Sequence, residues 1–288
     1  LPGNVAHMIL GKDATAEDVA RLEKQLGLDR PAIVRLAQWL AGMVQGDFGM
    51  SLRMQRPITP VLLDRLASSS ILTLSSFFLV LTGGLFIGLV SALQAGKRTD
   101  RFVTAAAVIG TSLPEFVTGT LLVILFAGGI FRIFPPSGYE GFQAGIGDAV
   151  MHLVLPALTL ATILAAYVGR ITRTAVIDSL KSDYVRTARL KGLSTPAVVF
   201  RHVLPNALIP SVTVLFMNLG WLFGGIVVVE QIFVFPGIGR LMLFAVSERD
   251  WPLIQACAVV IAGFYVFGNL LGDLVNALLN PRIRESFG

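Results

Sequence analysis

The chain has 288 residues, of which 54% are hydrophobic and only 14% charged, and its mean hydropathy is +0.74. Soluble globular proteins carry about 25% charged residues, so this balance excludes an ordinary soluble fold and, with apolar runs long enough to cross a bilayer, indicates an all-α integral membrane protein. The net charge of +5 is modest: it suits an anionic membrane surface and gives no reason to invoke nucleic acid.

Residues 1–66 differ from the rest. They hold eight Lys/Arg and seven Asp/Glu, and the opening LPGNVAHMIL lacks the basic region and cleavage site of a secretory signal. Thr15 is placed to cap a helix whose Val19, Leu22 and Leu26 recur on one face and which ends at Gly27. Asp29 and Pro31 open a second, with Ile33, Leu36, Leu40 and Val44 turned inward and an end near Gly46. Both are amphipathic helices of soluble type, lying outside the bilayer or on its surface. In the Gly46-Asp47-x-Gly49-x-Ser51 run that follows, Asp47 is either a turn residue or a docking contact.

Five apolar runs then follow. Thirty-one residues between Arg65 and Lys97 carry no Asp, Glu, Lys or Arg. Thirty lie between Arg101 and Arg132, interrupted only by Glu115. Asp148 to Arg170 encloses 21, Arg201 to Glu230 encloses 28, and Asp250 to Asp273 encloses 22. A helical span needs about 20 residues at about 1.5 Å each, so each run is expected to be one span. Gly83, Gly84, Gly88, Gly119, Gly220, Gly224 and Gly225 within them are read as sites of close helix packing.

Orientation follows from the loops. The segments at 97–101 and 170–202, with the tail at 282–285, hold twelve Lys/Arg, against three at 132–148 and 230–250. The first set is expected to be cytoplasmic, with the C-terminus inside. Five spans then put residue 1 outside, which raises the expectation that a further span precedes it.

Asp183 to Pro205 is a basic island between apolar runs. Tyr184, Val185 and Ala188 fall on one side of a short helix, Arg186 and Arg189 on another. Gly192 is a helix stop, where positive φ is expected; Thr195-Pro196 restarts a second helix and Pro205 closes it. This is either a rigid elbow that can be pushed or a solvated basic loop. On the opposite side, VVVEQIFVFPGIGRLMLFAVSERDWPLIQ puts Pro236, Gly237 and Gly239 between apolar stretches, as a re-entrant hairpin or a tight outer turn.

Some chemistry is absent. No GxxxxGK[ST] phosphate cradle occurs, since Gly11-Lys12 is followed by Asp13 and Gly96-Lys97 by Arg98. His7, His152 and His202 are scattered and Cys257 stands alone, so neither a zinc site nor an intrachain disulfide is expected. Gly110-Thr111-Ser112-Leu113-Pro114 lacks the second glycine of a nucleophile elbow. An enzyme is therefore not the expected reading. Glu115, midway along the second run, faces a water-filled path or a partner, or is a packing residue held by a hydrogen bond. Asp273, near the inner end of the last span, is a structural charge that pairs with Arg282 or reaches water.

Three of these stretches carry a resemblance. The permeases of ABC importers have a cytoplasmic pattern of Glu-Ala-Ala, three residues, Gly, nine residues, Ile, one residue, Leu-Pro. Here Ala188, Gly192, Leu204 and Pro205 hold the matching positions, while Arg186, Thr187 and His202 replace Glu, Ala and Ile. YVRTARLKGL is similar to the variant in the dipeptide/oligopeptide permeases, as are GDFGMS at 46–51 and the residues Glu230, Phe233, Pro236, Gly237, Gly239, Arg240, Leu241, Arg249, Asp250, Trp251 and Pro252. The resemblance implies the transmembrane fold of a type I ABC importer, with residues 1–66 as an extracytoplasmic segment and 67–288 as the permease domain. It also implies a coupling helix at about 183–195 that contacts an ATPase through Tyr184, Arg186, Thr187, Ala188, Arg189, Lys191, Gly192, Leu204 and Pro205. An outer hairpin at about 230–252 would close the path on the side of a binding protein, through Glu230, Pro236, Gly237, Gly239, Arg240, Arg249 and Asp250.

The partners implied are a second homologous permease, two ATPase subunits that bind ATP and Mg, and an extracytoplasmic substrate-binding protein, all at the inner membrane of a prokaryote; no cofactor belongs to this chain. Peptides are the implied substrate, with nickel chelates, glutathione and oligosaccharides also served by similar permeases. The reading from another class is an ATP-independent secondary transporter, favoured only by Glu115; a membrane scaffold would need no bend at Gly192.

Overall fold

A computed structural model describes residues 15–25 and 31–279 of the chain. Expectations placed on Leu26, Gly27, Asp29 and Arg282 lie outside the described residues. Among those described, every regular element is helical and the β-pairing is one isolated bridge between Met50 and Pro57. The chain divides into two compact units, one holding the described residues up to Asp64 with Met242–Ala258, the other Arg65–Leu241 with the residues from Val259 onward.

In the first unit, α1 (Ala16–Gln25) and α2 (Ala32–Val44) take the helical positions expected of them, and Val19 is buried. The face of α2 is a correction. Ile33, Leu36, Leu40 and Val44 are exposed, Ile33 by 71% and Val44 by 84%, and the half-buried side is that of Arg35, Trp39 and Met43. Periodicity shows that a helix has an apolar stripe but not what covers it, and at a membrane surface such a stripe faces lipid as readily as protein. After a turn at Gly46 (φ 80°), the Asp47 Oδ1 accepts the Gly49 N–H at 2.8 Å, the arrangement of a turn residue.

The remaining helices follow in chain order and make up most of the second unit, with Ile58–Leu79, Ile238–Ser247 and Trp251–Leu279 each holding residues of both. α3 (Ile58–Leu79) starts eight residues before the apolar run and continues through a π-helical segment, Val80–Gly84, into α4 (Leu85–Leu93). α5 (Arg98–Ser112) and α6 (Glu115–Leu122, continuing as a π segment to Gly128) follow, then α7 (Ile146–Leu180), α8 (Asp183–Leu190) and α9 (Thr195–Val198). A third π segment, Val199–Val203, joins α9 to α10 (Leu204–Met217), and α11 (Leu219–Ile232), α12 (Ile238–Ser247) and α13 (Trp251–Leu279) complete the chain. Four stretches are long and apolar enough to cross a membrane, Ile58–Leu93, Ile146–Leu180, Thr195–Met217 and Trp251–Leu278, and α5 with α6 makes a fifth if that bent pair is one span.

Two expected single spans are broken. α5 and α6 meet at 111°, because Pro114 has no N–H for the helical ladder and holds Leu113 extended (φ −88°, ψ 129°). Glu115 is therefore the first residue of α6, at the bend, rather than a mid-span residue. The run 202–229 breaks at Asn218 (φ −96°, ψ 10°), whose side-chain amide donates to the Val214 carbonyl at 2.8 Å. Pro205, in contrast, does not end a helix: the wider π turn before it accommodates its ring and missing N–H, so α9 runs on into α10.

α7 is the central element of this unit, packed against α4, α5, α6, α10 and α11. Its Leu155, Leu160, Leu164 and Val168 are buried with Leu72, Val80, Leu215 and Leu222. Backbones come close where α4 meets α7: a Cβ on Gly88 would lie 2.4 Å from the Gly169 carbonyl oxygen. Gly84, Gly119 and Gly220 likewise sit against neighbours, whereas Gly83 and Gly224 meet nothing within 4 Å and are not packing sites. One polar clamp was not foreseen. Asp100 is buried and accepts both Nε (2.7 Å) and a terminal nitrogen (2.8 Å) of Arg173, the Ser91 hydroxyl (2.5 Å) and the Gly96 N–H (2.8 Å), pinning the α4–α5 turn to α7. Cys257 is free and buried.

Candidate coupling and gating sites

At 35 residues and about 1.5 Å per residue α7 is roughly 52 Å long, well beyond the roughly 30 Å hydrocarbon core of a bilayer. Part of it therefore exceeds a bilayer core, and its last turns lead directly into the basic island. The island is a helix–turn–helix elbow. α8 ends at Gly192, whose φ of 79° is the left-handed conformation that glycine adopts without strain. The Gly192 N–H reaches the Arg189 carbonyl at 3.0 Å and the Leu193 N–H the Ala188 carbonyl at 3.4 Å. This nested pair of bonds satisfies carbonyls that the end of the helix would otherwise leave open. Ser194, one residue earlier than expected, holds the N-cap position of α9, with Thr195 and Pro196 in its first turn.

The elbow is fixed from beneath. Val185 and Ala188 are buried in a cluster with Ala92, Val176, Val198, Val203 and Ala207, against which Leu204 also packs. Tyr184, which is exposed, hydrogen-bonds through its hydroxyl to Ser179 at the end of α7. The Val185–Ala188 stripe thus belongs to this chain's own core. That corrects the expectation that Ala188 offers an apolar surface to another protein: helical spacing put it on one face with Val185, and the chain itself fills that face. What remains exposed is Arg186, Thr187, Arg189, Leu190 and Lys191, with Pro205 further along. Leu190, 80% exposed, was not singled out from the sequence. Its signal is a large apolar side chain directly before a basic residue and a helix-stopping glycine.

The residues expected at the other end divide between the two units. Within the second, Glu230 at the end of α11 is fully buried. Its Oε1 accepts the Ser69 hydroxyl of α3 at 2.5 Å and its Oε2 the Arg240 N–H at 3.0 Å, while the Ser69 oxygen accepts the Ile238 N–H at 2.8 Å. A carboxylate against the first N–H groups of α12 satisfies the open donors there and is favoured by the helix dipole. Gly237 follows from it, since a Cβ there would lie 1.8 Å from Glu230 Oε1; a Cβ on Gly239 would meet the Val227 Cα at 2.7 Å before Oε2 at 3.0 Å. Pro236 precedes them half-buried, and the Arg240 guanidinium donates to the Val234 carbonyl at 3.0 Å.

Within the first unit, Asp250 is also fully buried and caps α13. Its Oδ1 accepts the Leu253 N–H at 3.3 Å, and its Oδ2 the Ser51 hydroxyl at 2.5 Å and the Arg53 N–H at 3.2 Å. Arg53 Nε reaches the Glu248 carbonyl at 2.9 Å, and the exposed Arg249 sits at φ 55°. Two separate sequence patterns, GDFGMS and RDWP, are thereby one hydrogen-bonded joint. In this conformation neither Glu230 nor Asp250 offers its carboxylate to an outer partner, which corrects that part of the expectation; both hold turns in place.

Glu115 is half-buried in the first turn of α6, and its carboxylate lies over Gly225 of α11, where a Cβ would come within 2.5 Å of Oε1. It makes no hydrogen bond or ion pair among the described residues. Among those residues no group of His, Cys, Asp and Glu is arranged to hold a metal.

The family model of binding-protein-dependent transport system inner membrane components matches residues 84–285. A probable peptide ABC transporter permease protein of Sinorhizobium fredii is 38% identical over 283 residues, 98% of this chain and 90% of the relative. The glutathione transport system permease protein GsiC of Salmonella typhimurium is 37% identical over 284 residues, 99% of this chain and 90% of the relative. Among solved structures, an amino acid ABC transporter with histidines superposes with a TM-score of 0.55 over 76% of this chain and 94% of its own at 18% identity, a likeness of fold. The chain therefore belongs to the binding-protein-dependent transport system inner membrane components, the permease subunits of ABC importers.

Proposed function

We propose that this permease imports short peptides and receives the motion of its ATPase through the elbow at 183–198. As a member of its family the chain is a transport component rather than an enzyme, working with an ATPase and a substrate-binding protein. The finer reading is a complex of this chain with a second homologous permease and two ATPase subunits that bind ATP and Mg, the elbow and the C-terminus lying on the cytoplasmic side. The observation that carries it is the elbow's construction. Its inner face is locked by Val185 and Ala188 while Arg186, Arg189, Leu190 and Lys191 project outward. A cap that is rigid beneath and both charged and apolar above can be moved as a body and can move α7 and α10 with it.

The test is a pair of substitutions in the reconstituted importer. Leu190→Asp puts a charge on the exposed face and should leave folding and pairing of the permeases intact while lowering ATPase stimulation by the loaded binding protein about tenfold or more. Ala188→Asp buries the charge and should impair folding of the elbow itself. Parental coupling in Leu190→Asp would remove the elbow from the drive train.

The peptide reading is supported by the Sinorhizobium fredii relative, and the GsiC relative gives glutathione, itself a tripeptide, as the second candidate. Uptake of tri-alanine in competition with glutathione decides between them. Glu115 lies on the translocation path in this reading: an uncompensated carboxylate within a span is costly unless it meets water or a polar partner.

A further inference from the structure

A cavity of about 510 Å³ opens between the end of α7 and the start of α10. Its wall carries Arg170, Thr174 and Asp178, spaced four residues apart and so stacked along one side of α7. Arg170 and Asp178 have opposite charges and neither has an ion-pair partner among the described residues; the Arg170 guanidinium instead lies over the Tyr167 ring, 5.8 Å from its centroid. The opposite wall is Asn206, Ala207 and Pro210 of α10. Pro210 has no N–H for the Asn206 carbonyl four residues back, so this point of α10 offers a backbone acceptor beside a side-chain amide.

We propose that this groove is a subsite for a zwitterionic short peptide, with the peptide carboxylate on Arg170, its ammonium group on Asp178 and its backbone against Thr174 and Asn206. Eight residues of helix put the backbones of Arg170 and Asp178 about 12 Å apart along the axis. At about 3.4 Å per extended residue, a peptide of two or three residues fits between the two side chains, whose flexible ends take up the difference. Arginine matches a terminal carboxylate with two parallel N–H donors, and a cavity of this size is in the ordinary range for small ligands. The groove lies beside the elbow on the same two helices, so elbow movement would change the distance between its walls and release the peptide. The subsite rests on the peptide reading above.

The test uses the assembled complex in nanodiscs without its binding protein, and a tripeptide with a photoreactive central side chain. Labelling should fall on Thr174 or Asn206 and should be competed by tri-alanine, but about tenfold less well by its C-terminal amide or its N-acetyl form. Arg170→Gln should abolish discrimination against the amide alone, and Asp178→Asn discrimination against the acetylated form alone. The subsite is overturned if labelling falls elsewhere, if both blocked peptides compete like tri-alanine, or if Asn206→Cys in the assembled complex is shielded from a water-soluble thiol reagent, which would place the second permease over the groove. Uptake by the parental importer with its binding protein separates the two failures. Uptake without groove labelling ends the subsite and leaves the peptide reading standing, while absence of both ends the two together.

Discussion

Single atoms decide several positions in this chain. Gly237 leaves just enough room for the Glu230 carboxylate, since a Cβ would lie 1.8 Å from its Oε1. Gly237→Ala must therefore displace a fully buried carboxylate from Ser69 and from the start of α12, and we expect it to destabilise the permease by about 1–3 kcal/mol, read as a lower melting temperature in detergent. An unchanged melting temperature would mean that the carboxylate is not held there. Gly192 is a different case. A Cβ there meets nothing within 4 Å, so the cost of substitution is that of the left-handed backbone alone, about 1 kcal/mol or more and greatest for a β-branched residue. Gly192→Asn, which tolerates this conformation, should couple nearly as the parent. Gly192→Val should insert and pair normally but lose transport; equal activity of both would show that the elbow need not be rigid.

At the scale of elements, helix breaks decide where polar side chains leave the apolar runs. The 111° bend between α5 and α6 brings the Glu115 carboxylate out of the helix ladder and over Gly225. If it lines the path, Glu115→Gln should change the rate of transport or the choice among peptides while leaving assembly and ATPase binding intact. Glu115→Leu with parental transport would make it a packing residue. The elbow and the capped turns at Glu230 and Asp250 share one design, in which a helix end is fixed by satisfying its open backbone groups. In the elbow the open groups are carbonyls met by the N–H groups of Gly192 and Leu193; at Glu230 and Asp250 they are N–H groups met by a carboxylate.

For the whole molecule, the proposed topology, drawn from the loop charges, has Ser194 inside and Gly141 outside, and reporters fused at these positions should report opposite sides of the membrane; the same side for both would end it. Much of the architecture was legible in the sequence because lipid imposes a long apolar run wherever a helix crosses. Gly192 was legible for a similar reason, as few residues tolerate its backbone. What was not legible depended on partners far apart in the chain. The Asp100–Arg173 pair joins residues 73 apart and Ser51–Asp250 residues 199 apart, and no local pattern marks either. The stripes on α2 and α8 were found correctly as apolar faces but given the wrong neighbours, because periodicity is silent about what lies opposite. The central claim is that the exposed side of α8 meets an ATPase, and a cysteine cross-link tests it most directly. With Leu190→Cys in the assembled importer, a short bifunctional thiol reagent should join this chain to a cysteine-bearing ATPase subunit, with a yield that changes when ATP is added. A cysteine at 190 that stays freely open to water-soluble reagents in the complex, and joins to no ATPase with or without ATP, would contradict it.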